Sequence, residues 1–206
     1  MQSLKIMGKN VLVFPDVYPP SEDSFILVDS AISRVYGRVL DLCCGTGFVG
    51  LCLAEKAESV TAVDLNPSAV KNACENFRLN RQYEKLRALV GDLFGPLRRY
   101  KGYDLIVMNP PYLWDSDWEP NDLSWSGGER GRKIIDRFIR EVGDYLNENG
   151  RALFVQSTLN GVDESLELIA GEGMKGRIIN RINFMFEGLV VIEIEMRDQQ
   201  PDFVKL

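Results

Sequence analysis

A chain of 206 residues, 45% apolar and 26% charged, has enough apolar mass for one substantial core, which predicts a single domain and excludes a low-complexity or disordered chain. Its formal net charge of −6 argues against tight binding to bare duplex nucleic acid, where phosphate neutralisation supplies most of the affinity. The absence of histidine excludes Ser-His-Asp and Cys-His nucleophile schemes and removes the commonest metal ligand.

In chain order, Val11 to Pro20 reads as an extended, Pro-interrupted strap across the edge of a sheet. Ser21 caps a predicted helix with Glu22 and Asp23 in its first turn and Val28, Ala31, Ile32 and Val35 on its buried face. Val39 to Leu42 is a short buried strand. The Gly-rich turn Cys43-Cys44-Gly45-Thr46-Gly47 follows, then a helix from Phe48 to Lys56. Val60 to Val63 is a second strand ending at Asp64, and Asn66-Pro67 is an N-cap with proline at the first helical position. Val70, Ala73, Cys74 and Phe77 then mark one helix face. Leu86 to Val90 and Tyr103 to Met108 are the third and fourth strands.

A helix from Lys133 carries Ile135, Phe138, Ile139, Val142 and Leu146 on one face, and Asn149-Gly150 is expected to stop it. Ala152 to Val155 is a fifth strand, and Val162, Leu166, Ile169 and Ala170 mark a further helix. Two closing strands are predicted, one with Ile182, Phe184 and Phe186 facing one way and one with Ile192, Ile194 and Met196, joined by a short hairpin at Glu187-Gly188. Alternating strands and helices predict an α/β fold, with a mainly parallel sheet covered on both faces. Leu113 to Gly131 is the one long irregular stretch. No apolar run approaches a bilayer span and no signal peptide opens the chain, so a cytoplasmic protein is expected. Cys43, Cys44, Cys52 and Cys74 form no C-x-x-C pair and read as reduced, mostly buried side chains with no metal.

Ligands of open α/β sheets sit beyond the carboxyl ends of the strands. Asp41, Asp64, Asp92 and Asn109 each fall within a residue or two of a predicted strand end. Gly45-Thr46-Gly47-Phe48-Val49-Gly50 satisfies G-x-G-x-x-G, and Asp64 lies 19 residues after Gly45, which a dinucleotide fold would use. That reading leaves Asp41, Asp92 and Asn109-Pro110-Pro111-Tyr112 without a role. A nucleoside cofactor lacking pyrophosphate, S-adenosylmethionine, uses them all, with Asp64 on the ribose and Asp92 and Leu93 at the adenine. The two prolines fix the carbonyls of Asn109 and Pro110. Beside the Asn109 side chain and the Tyr112 ring they form a slot suited to a planar NH2 group.

Asp41-Leu-Cys-Cys-Gly-Thr-Gly, Asp64, Asp92-Leu93 and Asn109-Pro-Pro-Tyr112 together resemble the class I methyltransferases that modify planar nitrogens. Val17-Tyr18-Pro19-Pro20-Ser21-Glu22-Asp23-Ser24-Phe25 and Trp125-Ser126-Gly127-Gly128-Glu129-Arg130-Gly131 resemble, more narrowly, the HemK/PrmC family in its short archaeal and eukaryotic branch. The resemblance implies a Rossmann-like fold with a seven-stranded, mostly parallel sheet and an antiparallel closing strand. It divides the chain into an N-terminal strap and helix (1–37) and a catalytic core (38–206). It also implies methylation of the side-chain amide of the glutamine in the Gly-Gly-Gln loop of peptide-chain release factors.

By the same resemblance, Ser24, Asp41, Cys43, Gly45, Asp64, Asp92, Leu93 and Asn109 bind S-adenosylmethionine. Asn109, Pro110 and Tyr112 are the catalytic residues, and with Pro111 they form the acceptor pocket. Cys43 stands where many relatives have glycine, and Ser24 replaces a more usual threonine. A small zinc-binding activator covering an apolar sheet edge is implied as a partner. The alternative acceptor, the exocyclic amine of adenine in DNA or RNA, fits the same slot, and net acidity weighs against it.

Overall fold

The computed structural model describes residues 1–111 and 131–197, and a seven-stranded sheet runs through its centre. In chain order the elements are β1 (Gln2–Ile6), β2 (Lys9–Val13), α1 (Glu22–Ala31), β3 (Arg38–Leu42), α2 (Phe48–Leu53), β4 (Ser59–Asp64), α3 (Pro67–Leu79), β5 (Leu86–Val90), β6 (Tyr103–Met108), α4 (Lys133–Val142), β7 (Leu146–Ser157), α5 (Val162–Gly171), β8 (Met174–Asn183) and β9 (Gly188–Met196). The sheet order is β5-β4-β3-β6-β7-β9-β8. The first five of these strands are parallel neighbours, and β9 runs antiparallel to both β7 and β8. After β5 the chain crosses back to lay β6 on the other side of β3. The gap between the tips of β3 and β6 is therefore the topological switch point, where an open α/β sheet holds its ligand.

Strand residues alternate between two cores, as a period of two demands. Val39, Leu105, Val107, Leu153 and Val155 face α1 and α2, with Phe77 of α3 in the same cluster. Leu40, Leu42, Ile106, Met108 and Phe154 face α4 and α5. Each fully buried Leu, Ile or Phe contributes ~1.5–3 kcal/mol, so the central strands are held hard from both sides and their tips make a rigid rim.

Three expectations change. The strap read from Val11 to Pro20 is half of a hairpin, β1–β2, turned by Met7 (φ 48°) and Gly8 (φ 78°). It lies on α3 rather than across the edge of the large sheet. Asn72 Oδ1 accepts from Phe14 N at 2.8 Å, Asn76 Oδ1 from Leu12 N at 2.7 Å, and Asn80 Oδ1 from Asn10 N at 3.0 Å. Their amide nitrogens donate back to the carbonyls of Leu12 and Asn10.

Helix α4 stops at Val142, and Leu146 begins β7. Asn149-Gly150 stops no helix: it lies in the part of β7 where the pairing with β6 jumps from Leu146 to Arg151. A Cβ on Gly150 would meet the Tyr103 carbonyl oxygen at 2.8 Å, so the chain bends there only as glycine. Finally, β8 begins at Met174, and Phe184 and Phe186 lie beyond its end in a turn closed by Phe184 N donating to Glu187 O at 2.7 Å. The register slip between Ile178 and Asn180 breaks the alternation, which hid the first half of that strand.

Candidate active site

The turn after β3 is built from backbone angles that most residues avoid. Cys43, Gly45 and Gly47 all have positive φ (55°, 51° and 73°). For Cys43 this is the left-handed region, which costs a non-glycine residue on the order of 1 kcal/mol. It explains in physical terms why glycine suits the position. The turn is tied on three sides: Cys44 N donates to Val63 O, Gly47 N to Cys44 O, and the Asn76 side chain of α3 donates to Thr46 O.

The two other glycines of the G-x-G-x-x-G pattern divide their work. A Cβ on Gly47 would lie 2.6 Å from the Ala73 Cβ, and one on Gly50 would lie 2.8 Å from an Asp41 carboxylate oxygen. Both glycines are therefore packing positions. Gly45 differs, because the nearest atom to its would-be Cβ is the Tyr18 carbonyl oxygen at 3.9 Å. Open space for a ligand lies there, while Gly47, which a dinucleotide fold would turn to a pyrophosphate, is closed by α3.

Four strand tips bring their polar residues to this turn. Asp41 is 2% exposed and accepts from Gly50 N at 2.9 Å, so it anchors the first turn of α2. Burial pushes its carboxyl up to about 8 against the pull of the Gly50 N–H, with the charge of Asp64 adding to the rise. Asp64 closes β4 and accepts from Gly45 N and Asn66 N, each at 2.8 Å. Burial raises its carboxyl too, opposed by the N–H groups of Asn66, Gly45 and Leu65.

Cys43 sits amid these acids. Its thiol is raised well above the usual value by burial first, then by the charges of Asp64, Asp41 and Asp92, so it stays protonated. Asp92, at the tip of β5, is exposed and contacts Arg137 Nη1 of α4 at 3.0 and 3.1 Å. Leu93 follows with φ 48° and packs into the α4-side core beside Phe94.

Asn109 closes the set at the tip of β6. Its Nδ2 donates to Ser24 Oγ of α1 at 3.5 Å. Ser24 Oγ donates in turn to Asp23 Oδ1 at 3.1 Å, and Tyr18 OH donates to Asp23 Oδ2 at 3.1 Å. Burial and the Asp23 charge push the Tyr18 phenol up to about 12, which keeps it a donor. With Nδ2 turned to Ser24, Oδ1 takes the other side of the amide. Oδ1 is buried and has no hydrogen-bond partner among the described residues, an arrangement that costs ~1–3 kcal/mol unless something fills it.

Pro110 is buried behind it and Pro111 is partly so. Tyr112 and the Trp125–Arg130 motif lie outside the described residues. Asp23 and Tyr18 were not among the predicted site residues, although both stand in the Val17–Phe25 motif. The signal was there in the motif, but only the hydrogen bonds that tie both to Ser24, which in turn meets Asn109 85 residues on, assign them work.

The donor set fits S-adenosylmethionine. The carboxylates of Asp64 and Asp92 and the unpartnered Asn109 amide oxygen are acceptors suited to ribose hydroxyls and amines, Asp41 is buried behind them on Gly50 N, and Gly45 leaves the room.

Comparison with known proteins agrees with this geometry. The family described as methyltransferase small domain matches residues 22–174. A Methanocaldococcus jannaschii protein, provisionally named a protein N5-glutamine methyltransferase, is 36% identical over 92% of this chain and 96% of its own length. The human protein named Methyltransferase HEMK2 is 31% identical over 79% of this chain and 82% of its own. Among solved structures, the E. cuniculi Mtq2-Trm112 complex, described as methylating the eRF1 translation termination factor, superposes with a TM-score of 0.67 at 26% identity. It covers 88% of this chain and 99% of that one.

Proposed function

The chain belongs to the small-domain methyltransferases and, within them, to the HemK-type branch, and from that premise we propose that it methylates the side-chain amide nitrogen of the glutamine in the Gly-Gly-Gln motif of a peptide-chain release factor. The observation that carries the reading is the Asn109 side-chain oxygen, buried and without a partner among the described residues, on the strand tip that flanks the switch point of the sheet. Bound S-adenosylmethionine supplies a methyl group on a positively charged sulfur, a leaving group good enough to need no protein nucleophile. Asp64 would hold the ribose with the lone pairs left over from Gly45 and Asn66, and Asp92 the adenine amine.

An amide nitrogen is a poor acceptor because its lone pair is delocalised into the carbonyl. Holding its two N–H bonds on Asn109 Oδ1 and the Pro110 carbonyl favours a pyramidal nitrogen whose lone pair faces the methyl group. Fixed polar groups of this kind supply several kcal/mol without reorganising during the reaction. The surplus proton leaves to water once the nitrogen is alkylated, so the lack of histidine is no handicap.

The test is incubation with labelled cofactor and either a release factor or an adenine-containing oligonucleotide, followed by mapping of the label. Label on the Gly-Gly-Gln glutamine is expected. Label confined to the oligonucleotide would replace this reading with the adenine one.

The same proposal includes a small activator subunit, one carrying its own zinc. Its seat would be the free edge of β5, where Leu65, Leu79, Tyr83 and Val90 are exposed. An open strand edge with apolar side chains is ready to pair with another chain. Co-expression that changed neither solubility nor activity would remove the subunit from the account.

A further inference from the structure

A second apolar surface stands at the ligand rim, at the other end of the sheet. The β8–β9 turn exposes Phe184, Met185 (87%) and Phe186 (88%), with exposed Leu159 close by. Leu159 is the residue after Thr158, whose hydroxyl accepts from Gly188 N at the base of the turn. Turns of this kind favour Gly, Asn and Asp for their backbone freedom and polarity. Met and Phe at the two central positions oppose that preference and bury nothing in the fold, so their apolar surface is available for contact outside it.

Behind the turn lies a groove of about 390 Å³ lined by Ile6, Met7, Phe25, Asp29, Asn180 and Ile182. Ile182 leads directly into the turn. Phe25 is the residue after Ser24, whose hydroxyl takes the Asn109 amide, so one helix, α1, lines the groove and supports the acceptor residue. Among the described residues, the one charged side chain on its lining is the carboxylate of Asp29.

We propose that this surface docks the substrate protein itself: an apolar segment carrying a basic side chain, a few residues from the modified glutamine. The proposal rests on the release-factor reading above and extends it. Two arguments select that occupant. The turn joins the strands two and three spacings from β6, ~10–14 Å at ~4.8 Å each, which an extended chain covers in about three to four residues at ~3.3 Å per residue. A glutamine seated on Asn109 therefore brings its own flanking residues over Phe184–Phe186. The β5 edge is ~25 Å away by the same spacing, so a small subunit seated there leaves this surface open. Asp29 then selects for a basic residue in the bound segment.

The experiment compares wild type with Met185→Ser/Phe186→Ser and with Asp29→Lys. It measures steady-state methylation of full-length release factor and of the Gly-Gly-Gln tripeptide without its flanking residues, together with cofactor affinity. The double substitution keeps the Phe184–Glu187 backbone closure, and circular dichroism checks the fold. The KM for the whole factor is expected to rise about tenfold in each variant, the size of effect that a small cluster of anchoring residues produces. Maximal turnover, the tripeptide and cofactor affinity should hold. An unchanged KM for the factor, in variants of an active enzyme, overturns the docking surface and leaves the function reading intact. A wild-type enzyme that modifies no release factor overturns both. Sedimentation showing a dimer that the substitutions dissociate would assign the patch to a second copy of the chain and overturn the proposal.

Discussion

Replacing Asn109 with alanine separates catalysis from stability in a way the hydrogen bonding makes quantitative. The side-chain oxygen has no partner to lose among the described residues. The one bond from Nδ2, to Ser24 at 3.5 Å, is at the outer limit for a hydrogen bond and contributes little. Removing an unsatisfied buried acceptor returns part of the ~1–3 kcal/mol it costs, and this offsets the packing lost with the amide. The unfolding free energy should therefore stay within about 1 kcal/mol of wild type. For a chain of this size that is a shift of no more than ~4 °C in Tm.

Turnover should behave oppositely. On the function proposed above the oxygen would act on the acceptor nitrogen as its geometry changes, and deletion of one such preorganised group costs about 10²–10³ in kcat. Urea unfolding of the cofactor-free protein and single-turnover transfer with labelled cofactor measure the two quantities, and calorimetry confirms that the cofactor still binds. A variant that lost more than 2 kcal/mol of stability, or one that turned over normally, would refute the reasoning.

Asp41 carries the pH dependence. Its folded value of about 8 lies above the ~3.9 of an unfolded chain, so the folded state binds the extra proton and this group's contribution to stability falls as pH rises from ~4 to 8. Asp41→Asn keeps an oxygen for Gly50 N and cannot ionise, so its denaturation midpoint should lose that decline, and an identical slope in both proteins would contradict the assignment. Gly47→Ala places a methyl 2.6 Å from Ala73 at φ 73° and should destabilise by ~2 kcal/mol or more, seen as a lower urea midpoint. A neutral result would show that α3 can move away from the turn.

The strand tips were legible in the sequence because each polar residue lies at or just past the end of a short, mostly apolar stretch. Asp41, Asp64, Asp92 and Asn109 could be placed that way without knowing the order of the strands. The boundaries that were misjudged share a cause. Leu146, Phe184 and Phe186 each continued a periodicity past the point where a turn had changed the backbone. A hydrophobic period reports which way a side chain would point if the element went on, and not whether it does.

The ladder Asn72, Asn76 and Asn80 is a different matter, since its spacing was visible and its meaning was not. Polar residues every fourth position on a helix read as a solvated stripe, yet Asn72 and Asn76 are fully buried. Four helical residues rise ~6.0 Å and two strand residues ~6.6 Å. A row of asparagines can therefore track a strand's backbone for a few steps, each amide offering the donor and acceptor that a neighbouring strand would. Three steps accumulate ~1–2 Å of mismatch by that arithmetic, which is as far as the hydrogen bonds can stretch. The ladder ends at Phe14, and the contacts of Asn66 and Ser68 with Asp16 take over. Through them α3 delivers Tyr18 to within 3.9 Å of the space beside Gly45 and in reach of Asp23. The strap thus reaches the candidate site by way of a helix it meets through side-chain amides and the Ser68 hydroxyl. An alanine in the ladder should be felt at Asn109 before it is felt in the core.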